Sequence, residues 1–203
     1  RYSDLPYYIV KELIETHYDL PLDSLIQQRF YKPIGANFST DNPLDQFDKS
    51  QIIPTEEDDY FRFETVHGYV HDMGAAMQNG VGGHAGLFSN ANDVAKLMQM
   101  FLQNGADGGE RFLKPETFDA FNRCYYCDED NRRGVGFDKP QLEEGGPTCD
   151  CVSMESFGHS GFTGTLAWAD PEEEIIYVFL SNRTYPDSKN NRLLDACLLY
   201  TSP

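Results

Sequence analysis

The first apolar residues of the chain recur every three or four positions, which is the period of an α-helix. They are Ile9, Val10, Leu13 and Ile14. Asp4 and Pro6 precede them, and both residue types favour the start of a helix. The pattern therefore predicts a buried amphipathic helix over residues 5–16 with Asp4 as its N-cap.

A second short helix is predicted from about Pro21 to Phe30, with Leu22, Leu25 and Ile26 on its inner face. The sequence Pro33-Ile34-Gly35 ends it. Residues 36–65 are then polar and acidic and contain prolines. They predict a long surface excursion, which in a compact domain usually shapes a site or wraps the core.

Two more helices are predicted before residue 125. The first has its apolar face at Val94, Leu97, Met98, Phe101 and Leu102. Ser89 or Asn92 is expected to cap it, and Gly105 stands just beyond its end near Gln103. Pro115 begins the other helix, which is expected to bury Phe118 and Phe121.

From residue 133 onward the apolar pattern is typical of strands. It predicts a strand at Val135-Gly136-Phe137, one or two strand segments over residues 156–168, and a buried strand over residues 175–180. A turn sequence, Asp170-Pro171-Glu172, joins the last two, so they should form an antiparallel hairpin. Helices followed by strands indicate an α+β fold.

The net charge of the chain limits the kinds of molecule that it is expected to bind. The chain has 16 Lys+Arg against 33 Asp+Glu, a formal charge of -17, which repels phosphate backbones and anionic lipid surfaces. Nucleic acid and membrane surfaces are therefore excluded as expected partners. With 40% hydrophobic residues the chain is too apolar to be disordered, and no apolar run is long enough for a membrane span.

Histidines and cysteines raise the question of zinc. His67, His71 and His84 lie in a glycine-rich segment over residues 66–89. Gly68 weakens a helix there, and no glutamate follows His67 as the HExxH motif requires. We therefore favour structural or site-lining histidines over a metal site, and predict no metal.

Four cysteines form a CxxC…CxC set, namely Cys124, Cys127, Cys149 and Cys151. The first pair has the spacing of a zinc ribbon, but the second does not. Unpaired or incidental thiols are the favoured interpretation, with one or two disulfides and a zinc site as the alternatives.

The stretch Ser156–Thr165, SFGHSGFTGT, is the candidate active site. Small residues beside a strand let a ligand or another backbone come close, and His159 among them can titrate near neutral pH. A tight strand entry with a packed histidine explains the same residues equally well. The nucleophile motif G-x-S-x-G fails here, because Phe162 stands where the second glycine is required.

Several segments in order resemble one family. They are Tyr2-Ser3-Asp4, PLDSLIQQRFYKPIG, GHAGLFSNANDVAKLMQMFL, RGVGFDKP and FGHSGFTGT. Together, from about Tyr2 to Asn191, they resemble the second and third motif regions of the serine β-lactamase and penicillin-binding-protein family, in its class C-like esterase and D-peptidase branch. The histidine-rich segments are most similar to the subgroup fused to family 3 glycoside hydrolases.

The resemblance implies a partial β-lactamase/transpeptidase-like fold and one incomplete catalytic domain over residues 1–203. Residues 1–125 would form a mainly helical part with long loops, residues 126–190 the antiparallel strands, and residues 191–203 a truncated C-terminal helix or artefactual tail. The family's nucleophile motif S-x-x-K is absent from this sequence. It is expected upstream of Arg1, so this chain alone should be inactive.

The resemblance also implies roles for individual residues. Tyr2 matches the catalytic tyrosine that shuttles the proton of the nucleophilic serine, and Asp4 stands where many members have a substrate-binding asparagine. His159, Ser160 and Gly161 replace the family's Lys-Thr-Gly triplet, with His159 in the catalytic proton network and the other two binding substrate. The backbone N–H of Phe162 matches one half of the oxyanion hole.

The function implied for the intact protein is that of a serine hydrolase that forms an acyl-enzyme on a small ester or D-amino-acid peptide. The resemblance implies no cofactor, and a periplasmic, cell-envelope or extracellular location in a bacterium. The alternative is a non-catalytic ligand-binding or accessory domain attached to a glycoside hydrolase.

Overall fold

The computed structural model describes residues 3–129, 131–140, 148 and 152–189. Their helices and small antiparallel sheets form an α+β fold, which confirms the predicted class. Tyr2, Cys149, Cys151 and the predicted tail over 191–203 lie outside the described residues. The chain divides into two compact units, residues 1–93 with 182–189 and residues 94–181 with 190–203. No helix in the described ranges is both long and apolar enough to cross a bilayer.

Two α-helices open the first unit. Helix α1 covers Leu5–Tyr18, and α2 covers Leu22–Ile26 before a π-helical turn over Gln27–Tyr31. Leu22 and Leu25 are buried, as predicted. Helix α1 has no buried residue, and Ile9 and Leu13 are 71% and 66% exposed. Its predicted burial is therefore wrong, because no described element covers its apolar face.

The start of α1 also differs from the prediction. Asp4 has helical backbone angles, and its side chain makes no capping hydrogen bond. Its carbonyl accepts from the Tyr7 N–H at 3.0 Å, and the Ser3 hydroxyl accepts from the Leu5 N–H at 3.4 Å. Asp4 therefore occupies the N-cap position, as predicted, but its side chain does not cap the helix. Its carboxylate lies close to Asp72 and His84 instead.

The predicted surface excursion over residues 36–65 contains a buried strand. β1 (Pro54–Asp58) pairs antiparallel with β2 (Glu64–His67). Thr55, Glu56 and Asp58 are buried. Glu56 and Asp58 tolerate burial because Arg62 forms ion pairs with both, at 2.5 and 2.7 Å. The prediction of a surface segment is therefore wrong for β1.

Residues 182–189 return to the same unit and pack against β1. The Thr184 hydroxyl donates to the Thr55 carbonyl at 2.9 Å, and the Glu57 N–H donates to the Pro186 carbonyl at 2.8 Å. After β2, the glycine-rich segment contains the one-turn helix α3 (Met73–Ala76). This unit is therefore held by backbone and charge pairing around β1 as well as by apolar side chains.

Helix α4 (Ala91–Leu102) follows, and the boundary between the units falls within it, after Asp93. The Asn90 side chain accepts from the Asp93 N–H at 2.9 Å, so the capping residue is Asn90 rather than Ser89 or Asn92. Strands β3 (Ala106–Asp107) and β4 (Glu110–Arg111) then form a short hairpin.

Helix α5 covers Pro115–Asn122. It buries Phe118, as predicted, but leaves Phe121 50% exposed. Cys124 and Cys127, which follow it, form a disulfide. For this pair the favoured interpretation of unpaired thiols is wrong, and the disulfide alternative holds.

The main sheet of the second unit is antiparallel in the order β5-β6-β7, with β5 at Phe157–Ser160, β6 at Leu166–Asp170 and β7 at Ile175–Phe179. The predicted β6–β7 hairpin is confirmed. β7 is not buried as predicted, since Ile175 and Tyr177 are 56% and 47% exposed. The core of this unit joins Met98 of α4, Phe118 of α5, Phe157 of β5 and Ala169 of β6.

The predicted strand at Val135–Phe137 is a bend. Gly136 has φ +100°, which a strand does not allow, and Arg133 pairs with Asp138 across the bend. The ring of Phe137 lies 5.0 Å from that of Phe157. Its apolar character therefore reflects core packing rather than a strand.

Candidate active site

The segment Ser156–Thr165 contains strand β5 and the turn that follows it. His159 lies opposite Ala167 of β6, and Ser160 opposite Leu166. The Gly164 N–H then donates to the Gly161 carbonyl at 2.9 Å and closes the turn. The predicted site residues of this segment therefore occupy the end of a strand and the start of a turn. They are His159, Ser160, Gly161 and Phe162.

Two small residues of this segment serve the packing of Trp168. The Trp168 indole N–H donates to the buried Ser156 hydroxyl at 3.0 Å. A Cβ at Gly158 would overlap the Trp168 ring and the Ala167 carbonyl oxygen. Packing within a tight strand entry, the alternative interpretation of this segment, therefore explains Ser156 and Gly158 without a catalytic role.

The packing at Gly158 makes a testable prediction. We expect Gly158→Ala to lower the free energy of unfolding of the chain by about 3 kcal/mol, because its methyl group must displace the indole or the β6 backbone. Trp168 is the only tryptophan in the sequence, so its fluorescence follows the change during urea unfolding. Gly108→Asn is the control, since Gly108 faces open space with φ +55°, which asparagine tolerates. Equal stability of the alanine variant and the native chain would contradict the prediction.

Strand β5 lies at the edge of the three-stranded sheet β5-β6-β7. Gly158 exchanges two hydrogen bonds with Asp138, at 2.8 and 3.1 Å, on the side away from β6. Backbone groups alternate sides along a strand. The N–H and C=O of Ser160 therefore face the same side as those of Gly158, one step beyond the Asp138 pairing. Ser160 itself is exposed.

His159 has a defined tautomer if it is neutral. Its Nδ1 lies 2.6 Å from the Ser160 carbonyl oxygen. A carbonyl only accepts hydrogen bonds, so Nδ1 carries the proton and Nε2 is the ring nitrogen able to accept one. His159 is only partly buried. Its position thus combines a fixed ring with a basic nitrogen, which is what proton transfer requires.

A buried lysine supports the start of β5. Lys139 is 5% exposed, and its Nζ donates to the Glu155 carbonyl at 2.9 Å and lies 5.9 Å from the centre of the Phe157 ring. Burial lowers its pKa below the ordinary lysine value. Sequence reasoning did not single out this residue, because nothing in the local pattern shows that it is buried.

The first unit contains a second polar cluster. Among the described residues, one group of three metal-type ligands has its atoms within 4.8 Å of one another, and it consists of Asp4, Asp72 and His84. His84 Nε2 lies 2.7 Å from Asp72 Oδ1. Burial, and then the carboxylates of Asp72 and Asp4, raise the pKa of Tyr8 beside this cluster.

The other two histidines of the glycine-rich segment have separate contacts. His67 Nε2 lies 2.6 Å from the Ile52 carbonyl oxygen, and His71 Nε2 lies 3.2 Å from Glu56 Oε2. These contacts fix loops and strands of the first unit. Structural roles therefore account for His67 and His71, as the sequence favoured.

The predicted site residues are thus placed as follows. His159 to Phe162 form one continuous stretch in the second unit, and Asp4 belongs to the cluster with Asp72 and His84 in the first. Tyr2 lies outside the described residues. Asp72 was missed from the sequence. The available signal was an aspartate within the glycine-rich segment that can cap a short helix, but its pairing with His84 spans twelve positions and depends on the fold.

Comparison with known proteins defines the class. The profile of the Beta-lactamase family matches residues 1–200. A Salmonella enteritidis PT4 protein described as a "Putative D-alanyl-D-alanine carboxypeptidase" is 35% identical, and the match covers 95% of this chain and 47% of that protein. The chain belongs to the beta-lactamase family, of the serine β-lactamase and penicillin-binding-protein type that its motifs resemble.

Solved structures show the same fold. A beta-lactamase from Mycobacterium bovis matches with a TM-score of 0.65 at 15% identity, covering 98% of this chain and 61% of that one. A penicillin-binding-protein homolog from Caulobacter crescentus matches with a TM-score of 0.57 at 20% identity, covering 87% and 50%. The β-lactamase/transpeptidase-like fold is therefore confirmed. The chain spans about half the length of the curated relatives it matches.

Proposed function

We propose that the full-length protein is a serine hydrolase that forms an acyl-enzyme on a D-amino-acid peptide or small ester. The observation that carries the proposal is the HSG triplet at the end of β5, where the family has Lys-Thr-Gly. There the Ser160 backbone faces the strand edge and His159 Nε2 is able to accept a proton. An extended substrate would pair along this edge, and the Ser160 hydroxyl would bind it.

The remaining roles follow from family membership. Tyr2 would take the proton of the nucleophilic serine, which requires a nearby cation because a phenol has a reference pKa of about 10. The nucleophile and its lysine would come from an S-x-x-K motif upstream of Arg1. Asp4 would accept a hydrogen bond from a substrate amide. The Phe162 N–H would stabilise the oxyanion, a contribution of about 3 kcal/mol for such a donor.

The substrate class takes its support from the Salmonella relative, whose description names a D-alanyl-D-alanine carboxypeptidase. The family resemblance implies a bacterial cell-envelope setting, so the proposal includes a periplasmic or cell-envelope location. None of the relatives reported above is described as joined to a glycosidase. Nothing in these comparisons therefore favours the accessory-domain alternative.

Covalent labelling tests the proposal. A fluorophosphonate or penicillin probe should label the full-length protein at a single serine upstream of residue 1, and that serine's alanine variant should not be labelled. The purified chain 1–203 should bind no probe covalently and hydrolyse no ester, because it would lack the nucleophile. An intact, folded full-length protein that takes up no probe, or ester turnover by chain 1–203, would overturn the corresponding part of the proposal.

A further inference from the structure

His84 and Asp72 form a tightly held pair in the first unit. His84 Nε2 lies 2.7 Å from Asp72 Oδ1, and the His84 side chain is 2% exposed. The same carboxylate oxygen accepts from the Ala75 N–H at 2.7 Å and so begins α3. Burial alone raises the pKa of Asp72, but the hydrogen bonds from Ala75 and His84 outweigh it and hold the pKa below its usual range. Asp72 therefore remains a charged acceptor.

This pair is in contact with the N-terminal half of α1. The rings of His84 and Tyr8 lie 4.8 Å apart. A Cβ at Gly74 would overlap the Tyr8 hydroxyl, and a Cβ at Gly83 would lie 2.7 Å from the Tyr7 carbonyl oxygen. The glycine-rich segment thus approaches α1 closely on both sides of the pair.

Helix α1 depends on these contacts, because it contributes no buried residue to the described core. Its C-terminal half is tied by the Glu15 side chain, which accepts from the Leu22 N–H at 2.8 Å. Its first turn carries Asp4, two residues after Tyr2, and the Asp4 carboxylate lies within 4.8 Å of the ligand atoms of Asp72 and His84. The position of that turn is therefore coupled to the pair.

A metal ion explains the cluster less well than a hydrogen bond does. A histidine that binds metal through Nε2 carries its proton on Nδ1, which normally donates to a second partner. His84 Nδ1 is buried, and no described group bonds to it. The hydrogen-bonded pair leaves Nδ1 as an unpaired acceptor, whereas metal binding through Nε2 would leave an unpaired N–H donor at the same buried position and would also remove the hydrogen bond to Asp72.

We propose that His84 and Asp72 are positioning residues, which hold the first turn of α1 and so orient Asp4 of the Tyr2-Ser3-Asp4 motif. This inference rests on the function proposed above, since the motif matters for catalysis only if the acyl-enzyme reaction occurs. The pair touches no reacting atom. Its loss should therefore lower kcat and also raise KM, because the turn it holds carries Asp4, which is proposed to bind a substrate amide.

Matched variants of the full-length protein test this role. His84→Phe keeps a ring against Tyr8 but removes the donor to Asp72, whereas His84→Gln restores an amide donor. We expect His84→Phe to lower kcat about 10- to 100-fold, because small displacements of catalytic groups have effects of this size. KM should rise as well, because the displaced turn carries Asp4, and His84→Gln should recover most of both changes. His67→Gln, which removes a histidine–carbonyl bond away from α1, should change neither constant.

Amide hydrogen exchange gives a readout that does not depend on activity. Residues 5–12 should exchange about ten-fold faster in His84→Phe than in His67→Gln, because the helix start is released. Asp72→Ser, which can still cap α3 but cannot reach His84, should do the same and replaces His84→Phe if that variant does not fold.

Three results would show separately whether the positioning role of His84 and Asp72 or the proposed acyl-enzyme function is wrong. A folded His84→Phe protein with native kcat and native exchange would overturn the inference. A Co²⁺ d–d absorption band that His84→Gln abolishes would also overturn it, in favour of a metal site. A native protein without labelling or turnover would overturn the proposed function, while the exchange measurement would still decide whether the pair holds α1.

Discussion

His159→Ala in the full-length protein is expected to lower kcat/KM about 10³-fold, the middle of the range for a positioned proton-transfer group. The hydrogen bond from Nδ1 to the Ser160 carbonyl fixes the ring and leaves Nε2 as the proton acceptor. The core of the sheet should survive, because its buried residues on β5 are Phe157 and Gly158. Initial rates with an ester substrate measure the loss of activity. Circular dichroism of the variant shows whether its fold is retained.

His159→Gln distinguishes proton transfer from hydrogen bonding. Glutamine has a similar size and can donate to a carbonyl, but it cannot accept a proton at neutral pH. If His159 transfers protons, the glutamine variant should be nearly as inactive as the alanine variant. A glutamine variant with more than about a tenth of native kcat/KM would contradict that role, since acid–base catalysis contributes at least 10²-fold. His17→Gln, at the far end of α1, is the control and should keep native activity.

Pre-steady-state kinetics test which step of the proposed reaction His159 assists. If it assists acylation, both the burst of leaving group and the steady rate should fall in His159→Ala. If it assists only deacylation, the burst should remain and the acyl-enzyme should accumulate. A burst and a steady rate that both equal those of the native protein would exclude His159 from the reaction.

Local periodicity was sufficient where an element packs with its own neighbours. Helix α4 and the β6–β7 hairpin were predicted because their apolar spacing and turn residues lie within a few positions of one another. The same patterns predicted the wrong burial for α1 and β7. The spacing of apolar residues identifies the apolar face of a helix or strand. It does not show whether another element covers that face.

The burial of the charged residues of β1 was the main feature that could not be predicted from the sequence. β1 reads Pro-Thr-Glu-Glu-Asp, and three acidic residues in succession predict a solvated segment. Its burial depends on Arg62, which lies in the loop to β2 and neutralises Glu56 and Asp58. Such compensation between separate elements has no signature in hydrophobic periodicity.

For the candidate site, the sequence predicted a location rather than a role. The HSG triplet was expected on a strand segment because apolar spacing is a sequence property, and the structure places the triplet at the end of β5. The pairing of His84 with Asp72, and the Lys139 contact with the Glu155 carbonyl, arise only when distant segments meet. Motifs therefore indicate candidate reacting groups, whereas contacts between distant segments can be identified only from the fold.

Arg62→Met is expected to lower the free energy of unfolding of the chain by about 3–5 kcal/mol, because it removes the guanidinium that compensates the charge of two buried carboxylates. The side chains of Asp58 and Glu56 are 0% and 6% exposed. Arg62 also donates to the carbonyl oxygens of Val70 and His71, at 2.6 and 2.9 Å. Methionine replaces the apolar stem of the arginine but none of these donors.

Two further variants test whether uncompensated charge causes the loss of stability in Arg62→Met. Arg62→Met combined with Asp58→Asn and Glu56→Gln removes the stranded charges and should recover part of the stability. Lys189→Met breaks the ion pair with Asp187, in which the lysine side chain is 86% exposed. It should change stability by less than about 0.5 kcal/mol, as exposed pairs do. Equal losses in Arg62→Met and Lys189→Met would show that burial does not set the strength of these pairs.

Acid should reduce the difference between Arg62→Met and the native chain. Burial alone raises the pKa of Asp58, but hydrogen bonds from Arg62 and from the N–H groups of residues 60–62 outweigh it and hold the pKa well below its usual range. The native chain therefore gains stability from Asp58 above about pH 4 and loses it as the pH falls further. Without the Arg62 side chain one of the groups that lower this pKa is lost, so the folded carboxyl takes up a proton at a higher pH than in the native chain, which relieves the uncompensated charge. Urea unfolding at pH 7 and pH 4 should show a smaller difference at pH 4, and a larger difference in acid would contradict this account of the network.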